Sequence, residues 1–147
     1  MVEPHKPALN ILLVEDNPGD ARLALEAWKE GDVPGQLHHV TDGVEALAYL
    51  RRKPGFEDAP RPDLILLDLN LPRKNGREVL AEVKADETLR RIPVVVMTTS
   101  MAEPDVLRCY DLHANCFVPK PVDLDDFISV IQSVARFWGR MAILPPH

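Results

Sequence analysis

Four apolar runs in this chain each lead into a residue that can do chemistry. Ile11-Leu12-Leu13-Val14 runs into Glu15-Asp16, and Leu64-Ile65-Leu66-Leu67 into Asp68. Val94-Val95-Val96-Met97 ends in Thr98, and Cys116-Phe117-Val118 is followed, after Pro119, by Lys120. Uniformly apolar runs without polar alternation are strands covered on both faces. The segments between them carry apolar residues at helical spacing, which implies right-handed βαβ crossovers and a parallel sheet. Ligands of such sheets bind at the carboxyl ends of the strands. The carboxylates, hydroxyl and ammonium therefore fall on one edge.

The helical segments have legible faces. Asn17-Pro18-Gly19-Asp20 is a turn into a helix striped by Leu23, Ala24, Ala27 and Trp28. Leu37 to Val40 reads as a short peripheral strand, because His38 and His39 are polar. Asp42-Gly43-Val44-Glu45 has the capping-box pattern and starts a helix striped by Val44, Leu47, Ala48 and Leu50. Arg51 to Pro62, rich in proline and charge, is a loop; Gly76 opens a helix with Val79, Leu80 and Val83 inside. Pro104 opens another holding Val106, Leu107, Tyr110 and Leu112, and Asp123 caps a last one running to about Trp138. The expected fold is α/β: a doubly wound five-stranded parallel sheet flanked by five helices, in three layers. Residues 1–8 read as an N-terminal tail, 9–138 as the domain and 139–147 as a C-terminal tail that is expected to serve as a dimerisation element.

With 147 residues there is room for one ordinary domain. A net charge of -6 argues against a basic face for nucleic acid. No apolar stretch approaches the roughly 18 residues of a membrane span, and Met1 to Pro7 lack an apolar signal core, so a cytoplasmic protein is expected. Cys109 and Cys116 are too few for a disulfide framework and are expected reduced.

Glu15, Asp16 and Asp68 at one edge repel each other: a pair about 4 Å apart costs roughly 4 kcal/mol at an effective dielectric near 20. A counter-ion resolves this. Mg²⁺ takes oxygen ligands, keeps waters and is held by one or two carboxylates plus a phosphate; Mn²⁺ is expected to substitute. Asp68 is then a nucleophile whose charge the metal screens from an incoming phosphoryl group. Lys120 pairs with the phosphoryl oxygens and the Thr98 hydroxyl donates to one of them, which supplies the positioning and neutralisation phosphoryl transfer needs. Each residue alone is compatible with a cap, a turn or a solvated side chain; the argument rests on their joint placement. Lys120-Pro121 is an X-Pro bond, the type that can be cis.

These residues are the pattern of the response-regulator receiver domain of two-component signalling, and the chain resembles that family from residue 9 to residue 138. Val14-Glu15-Asp16-Asn17 is similar to its acidic metal-binding motif, and Leu66 to Pro72 to its phosphoacceptor strand and loop. Thr98 and Lys120-Pro121 match its switch hydroxyl and its Lys-Pro. The resemblance implies a flavodoxin-like (CheY-like) fold and a phosphoryl group accepted on Asp68 from a sensor histidine kinase. It also implies Mg²⁺ held by Glu15, Asp16, Asp68 and the Asn70 carbonyl, with Thr98 and Phe117 as switch residues. Phe117 stands where the family often has Tyr, so only ring packing remains as that part of the switch. Pro119 before Lys120 is less usual. The segment Asp16 to Arg22, the long loop before Pro62-Asp63, Thr98-Thr99-Ser100 and the ending from Phe137 to Pro145 resemble the small regulators of phytochrome-type kinases.

Other classes fit less well. A haloacid-dehalogenase phosphatase needs an Asp two residues after its nucleophile, and Asn70 stands there. A flavodoxin-like flavin carrier needs a Ser/Thr/Gly-rich phosphate loop where Glu15-Asp16 stand. A degenerate receiver serving only as a protein-binding scaffold is disfavoured by the complete residue set. The chain is expected to catalyse only its own phosphorylation and dephosphorylation and, lacking room for an output domain, to signal by protein contact or onward phosphotransfer. In the last helix, Leu124, Phe127, Ile128, Ile131 and Ala135 are expected to face the sheet. A second row holds Val130, Val134, Phe137 and Met141, where a surface helix normally carries one stripe. A homodimer through Tyr110, Val130, Val134, Phe137, Trp138 and Met141 is expected, with cover by the chain's own tail as the alternative.

Overall fold

A computed structural model describes residues 8–99 and 102–146. Five parallel strands form one sheet: β1 (Leu9–Val14), β2 (Gly35–Val40), β3 (Leu64–Leu67), β4 (Val94–Thr98) and β5 (Cys116–Pro119), in the order β2-β1-β3-β4-β5. The helices are α1 (Pro18–Glu30), α2 (Gly43–Leu50), α3 (Gly76–Ala85), α4 (Glu103–Asp111) and α5 (Leu124–Arg136). A π-helical turn, Phe137–Met141, continues α5. The expected doubly wound fold is present, with β2 at an edge.

Two apolar layers follow from the pleat, since successive strand residues point to opposite faces. Leu12, Val14, Ile65, Leu67, Val94 and Val96 pack against α2, α3 and Cys109 of α4. Ile11, Leu13, Leu64, Leu66, Val95 and Met97 pack against Ala21, Ala24 and Ala27 of α1 and Phe127, Ile131 and Ala135 of α5. Both cysteines are unpaired, Cys109 buried and Cys116 half-buried.

Three sequence-based faces and one peptide bond need correction. In α2 the inward residues are Ala46, Leu47 and Tyr49, and Val44 is exposed. The Asp42 cap seats Gly43 against the β3–α3 loop, where a Cβ would lie 2.0 Å from the Lys74 carbonyl oxygen; this turns Val44 outward. In α4 Cys109 is buried, while Leu107 and Tyr110 are exposed, because α4 meets the sheet along a narrow line beside edge strand β5. In α5 Leu124 is 53% exposed: it precedes the first turn that reaches the sheet. The Lys120–Pro121 bond is not cis; no cis peptide occurs among the described residues. The trans form is the ordinary preference, and here the Lys120 N–H continues the strand pairing by donating to the Thr98 carbonyl at 2.8 Å.

The capping boxes also fall differently. Asp42 accepts from the Glu45 N–H at 2.8 Å, but Glu45 reaches back to the Thr41 N–H, so that box is half made. The complete one is Asn75 with Glu78, at the start of α3.

Candidate functional site

The chain leaves β1 for β2 on one side and returns as β3 on the other, so the sheet order reverses between β1 and β3. A crevice opens at such a switch point beyond the carboxyl ends of the strands. Buried polar residues mark it: of Glu15, Asp42, Asp68 and Thr98, only Asp42 lies elsewhere, as the cap of α2.

Asp68 follows the last residue of β3, and its N–H donates to the Val14 carbonyl at 3.1 Å. Its Oδ1 accepts from the Asn70 N–H at 3.0 Å and its Oδ2 from Lys120 Nζ at 2.9 Å. The first residue of α3 comes so close that a Cβ on Gly76 would lie 2.3 Å from the Asp68 carbonyl oxygen; only glycine lets α3 start there. Thr98, the last residue of β4, is fully buried, and its Oγ1 accepts from Asn70 Nδ2 at 3.4 Å.

Glu15 is buried and Asp16 exposed, as consecutive residues at a strand end point to opposite sides. Glu15 Oε2 accepts from the Asn17 N–H at 3.2 Å, and His39 Nε2 donates to the Glu15 carbonyl at 2.7 Å. One oxygen from each of Glu15, Asp16 and Asp68 lies within 4.8 Å of the others. Burial pushes the Glu15 carboxyl up to about 7; the Lys120 hydrogen bond opposes this, and the Asp68 charge adds to it. The Lys120 ammonium at 2.5 Å from Oε1 supplies a positive charge beside it. Burial works to lower the Lys120 ammonium, but hydrogen bonds to Glu15, Asp68 and Asp20 outweigh it and hold it above the usual lysine range. It remains charged.

The donor set is all oxygen, clustered and open to water at Asp16, which fits Mg²⁺ or Mn²⁺. When bound, such an ion neutralises carboxylate charge that would otherwise repel a phosphoryl group. The residues of the chain do the rest: the Asp68 oxygens are aimed by the Asn70 N–H and by Lys120, and the Thr98 hydroxyl stands across Asn70 from them.

The sequence-derived residues Glu15, Asp16, Asp68, Asn70, Thr98 and Lys120 thus converge. Phe117 is set back. It is half-buried, paired in register with Val96, and packs with Thr98's face of the sheet on the α2–α4 side. Ser100, after the Thr98-Thr99 pair, lies outside the described residues. Asp20, a turn residue in the sequence and not among the expected site residues, has its Oδ2 3.0 Å from Lys120 Nζ. Its one sequence signal is its place one helical turn beyond Asp16.

The second apolar row of α5 is partly covered. Val130, Val134 and Trp138 are half-buried against the α1–α5 layer, while Phe137 and Met141 are 47% and 75% exposed. Phe137 meets Trp138 edge-on at 5.2 Å. A groove of about 510 Å³ opens between this row and Val95, Asn115 and Cys116. Tyr110 is exposed on α4, in the other layer and across β5. Arg140 of the π-helical turn donates to the Asp32 carbonyl at 2.7 Å, and beyond the turn Leu144 packs on the same layer.

The family model for the response regulator receiver domain matches residues 11–132. Response regulator Rcp1 of a Synechocystis species is 46% identical over 145 residues, covering 99% of both chains. A crystal structure of the phosphorylated cyanobacterial phytochrome response regulator RcpA superposes with a TM-score of 0.91 at 50% identity, covering 95% of this chain and 100% of that one. The Mn²⁺-bound form of Rcp1 superposes with a TM-score of 0.89 at 47% identity, covering 94% and 99%.

Proposed function

Because this chain belongs to the response-regulator receiver family, we propose that Asp68 accepts a phosphoryl group from a phosphohistidine of a sensor kinase of the phytochrome type. The chain is a response regulator of two-component signalling. The observation that carries the assignment of Asp68 is its buried carboxylate, held by Lys120 at 2.9 Å and within ligand reach of Glu15 and Asp16. Asp68 Oδ attacks phosphorus and the bond to the histidine nitrogen breaks, leaving that electron pair on the imidazole. Lys120 takes up charge on the phosphoryl oxygens, and the Thr98 hydroxyl turns from Asn70 toward one of them. Glu15 and Asp16 hold the divalent ion with Asp68 and the Asn70 carbonyl. Thr98 and Phe117, on one face of neighbouring strands, form the switch.

The relatives in phytochrome signalling support the kinase class. In this reading the protein catalyses only its own phosphorylation and dephosphorylation, works in the cytoplasm with its kinase, and signals by contact or onward transfer. No described helix is long and apolar enough to cross a membrane. The exposed Phe137 and Met141 beside the apolar groove support a homodimer through Val130, Val134, Phe137, Trp138 and Met141, with Tyr110 reached only across β5.

The test is intact-protein mass after acetyl phosphate, with and without Mg²⁺. One phosphoryl adduct is expected, dependent on metal and absent in Asp68→Asn. An adduct on that variant at the wild-type rate removes the assignment; no adduct on wild type favours a receiver that serves only as a scaffold.

A further inference from the structure

Lys120 Nζ lies 2.5 Å from Glu15 Oε1, 2.9 Å from Asp68 Oδ2 and 3.0 Å from Asp20 Oδ2. A lysine ammonium has three donors, so these partners use all of them. Two of the three carboxylates also belong to the cluster suited to a divalent ion; Asp20 does not.

Asp20 is not occupied by a local role. It sits in the first turn of α1, where an acidic side chain commonly serves the free amides of the helix. Its own N–H is already satisfied by Asn17 Oδ1 at 3.0 Å, and its carboxylate is turned to a residue 100 positions away. The side chain is 28% exposed, whereas that of Lys120 is 6% exposed.

A cation ligated by Glu15 and Asp68 draws on the same two carboxylates as the ammonium and repels it. Lys120 would then lose the two partners that keep it inside, just when an incoming phosphoryl group needs it. We propose that Asp20 is a positioning residue that retains the Lys120 ammonium beside Asp68 while a divalent cation takes over Glu15 and Asp68. This rests on the receiver reading of the site and adds to it a fourth carboxylate with a separate task. One donor stays on Asp20 as a fixed leg; the other two are released, and the one freed from Asp68 turns to the phosphoryl oxygens.

The experiment is lysine-directed reductive methylation of the full chain, with Lys120 modification followed by peptide mass spectrometry, with and without saturating Mg²⁺. Wild-type Lys120 is expected to modify slowly in both conditions. In Mg²⁺-loaded Asp20→Ala the rate is expected to rise about tenfold, the effect of losing one charge-assisted hydrogen bond. Asp20→Asn keeps an acceptor oxygen and is expected to stay within about threefold of wild type. A wild-type rate in Mg²⁺-loaded Asp20→Ala overturns the proposal. So does an equal rise without Mg²⁺, which marks a loosened fold instead of a lost anchor. Methylation does not pass through phosphorylation, so absence of a phosphoryl adduct on wild type removes the phosphoacceptor role of Asp68 alone.

Discussion

Lys120 reaches Asp68 across 52 residues of sequence and Glu15 across 105, and these contacts make the carboxyl edge an electrostatic unit. Removing the cation from two buried carboxylates is costly: Lys120→Met is expected to destabilise the metal-free protein by roughly 3–5 kcal/mol in urea unfolding. Mg²⁺ should recover much of that loss, since it supplies the missing positive charge; no recovery would mean that the carboxylates do not bind the ion. Asp16 is exposed, so its substitution touches binding and not the fold. Asp16→Asn is expected to weaken Mg²⁺ binding about tenfold, or ~1.4 kcal/mol, while unfolding stays within about 0.5 kcal/mol of wild type. An unchanged metal titration removes Asp16 from the ligand set. Thr98→Ala leaves Asp68 and the metal ligands in place and should still take up phosphate. The shift of the Phe117 ring resonances on phosphorylation should be lost; if it persists, coupling does not run through Thr98.

At the scale of elements, stability and surface separate along α5. Phe127 and Leu124 are both large and apolar and lie one helical turn apart, yet Phe127 is 3% exposed and Leu124 53%. Phe127→Ala is expected to cost roughly 3–5 kcal/mol, as buried Phe-to-Ala changes do, and Leu124→Ala less than about 0.5 kcal/mol. Similar losses at both sites would show that α5 is rotated from the face described. The legible part of each helix was its existence and the residues near its middle: Val79, Leu80 and Val83 of α3 and Ile131 and Ala135 of α5 face inward as their spacing implies. Val44 and Leu107 did not follow, because the rotation of α2 and α4 depends on the Lys74 carbonyl and on the sheet edge, neither of which is encoded within the helix.

At the scale of the molecule, the apolar row beyond the sheet-facing stripe decides assembly. Val130, Val134 and Trp138 of it are half-buried within the chain, and Phe137 and Met141 stay outside. Those two side chains are the clean test, since Trp138 and Leu144 also pack within the chain. Wild type is expected to sediment as a dimer at micromolar concentration, and Phe137→Asp with Met141→Lys as a folded monomer that loses about 0.5–1.5 kcal/mol with the Phe137–Trp138 ring contact. A monomeric wild type, with and without phosphate, withdraws the dimer. The chemistry of the carboxyl edge was readable from residue order because strand ends are local and the handedness of βαβ crossovers leaves few topologies. Thus Glu15, Asp16, Asp68, Thr98 and Lys120 could be assigned to one edge before any coordinates. Folding alone decided the rest: that Asp20 joins them, and that Leu144 of the tail packs on the α1–α5 layer. Each of these is settled by a partner distant in sequence, and no periodicity within a segment carries information about what the segment will meet.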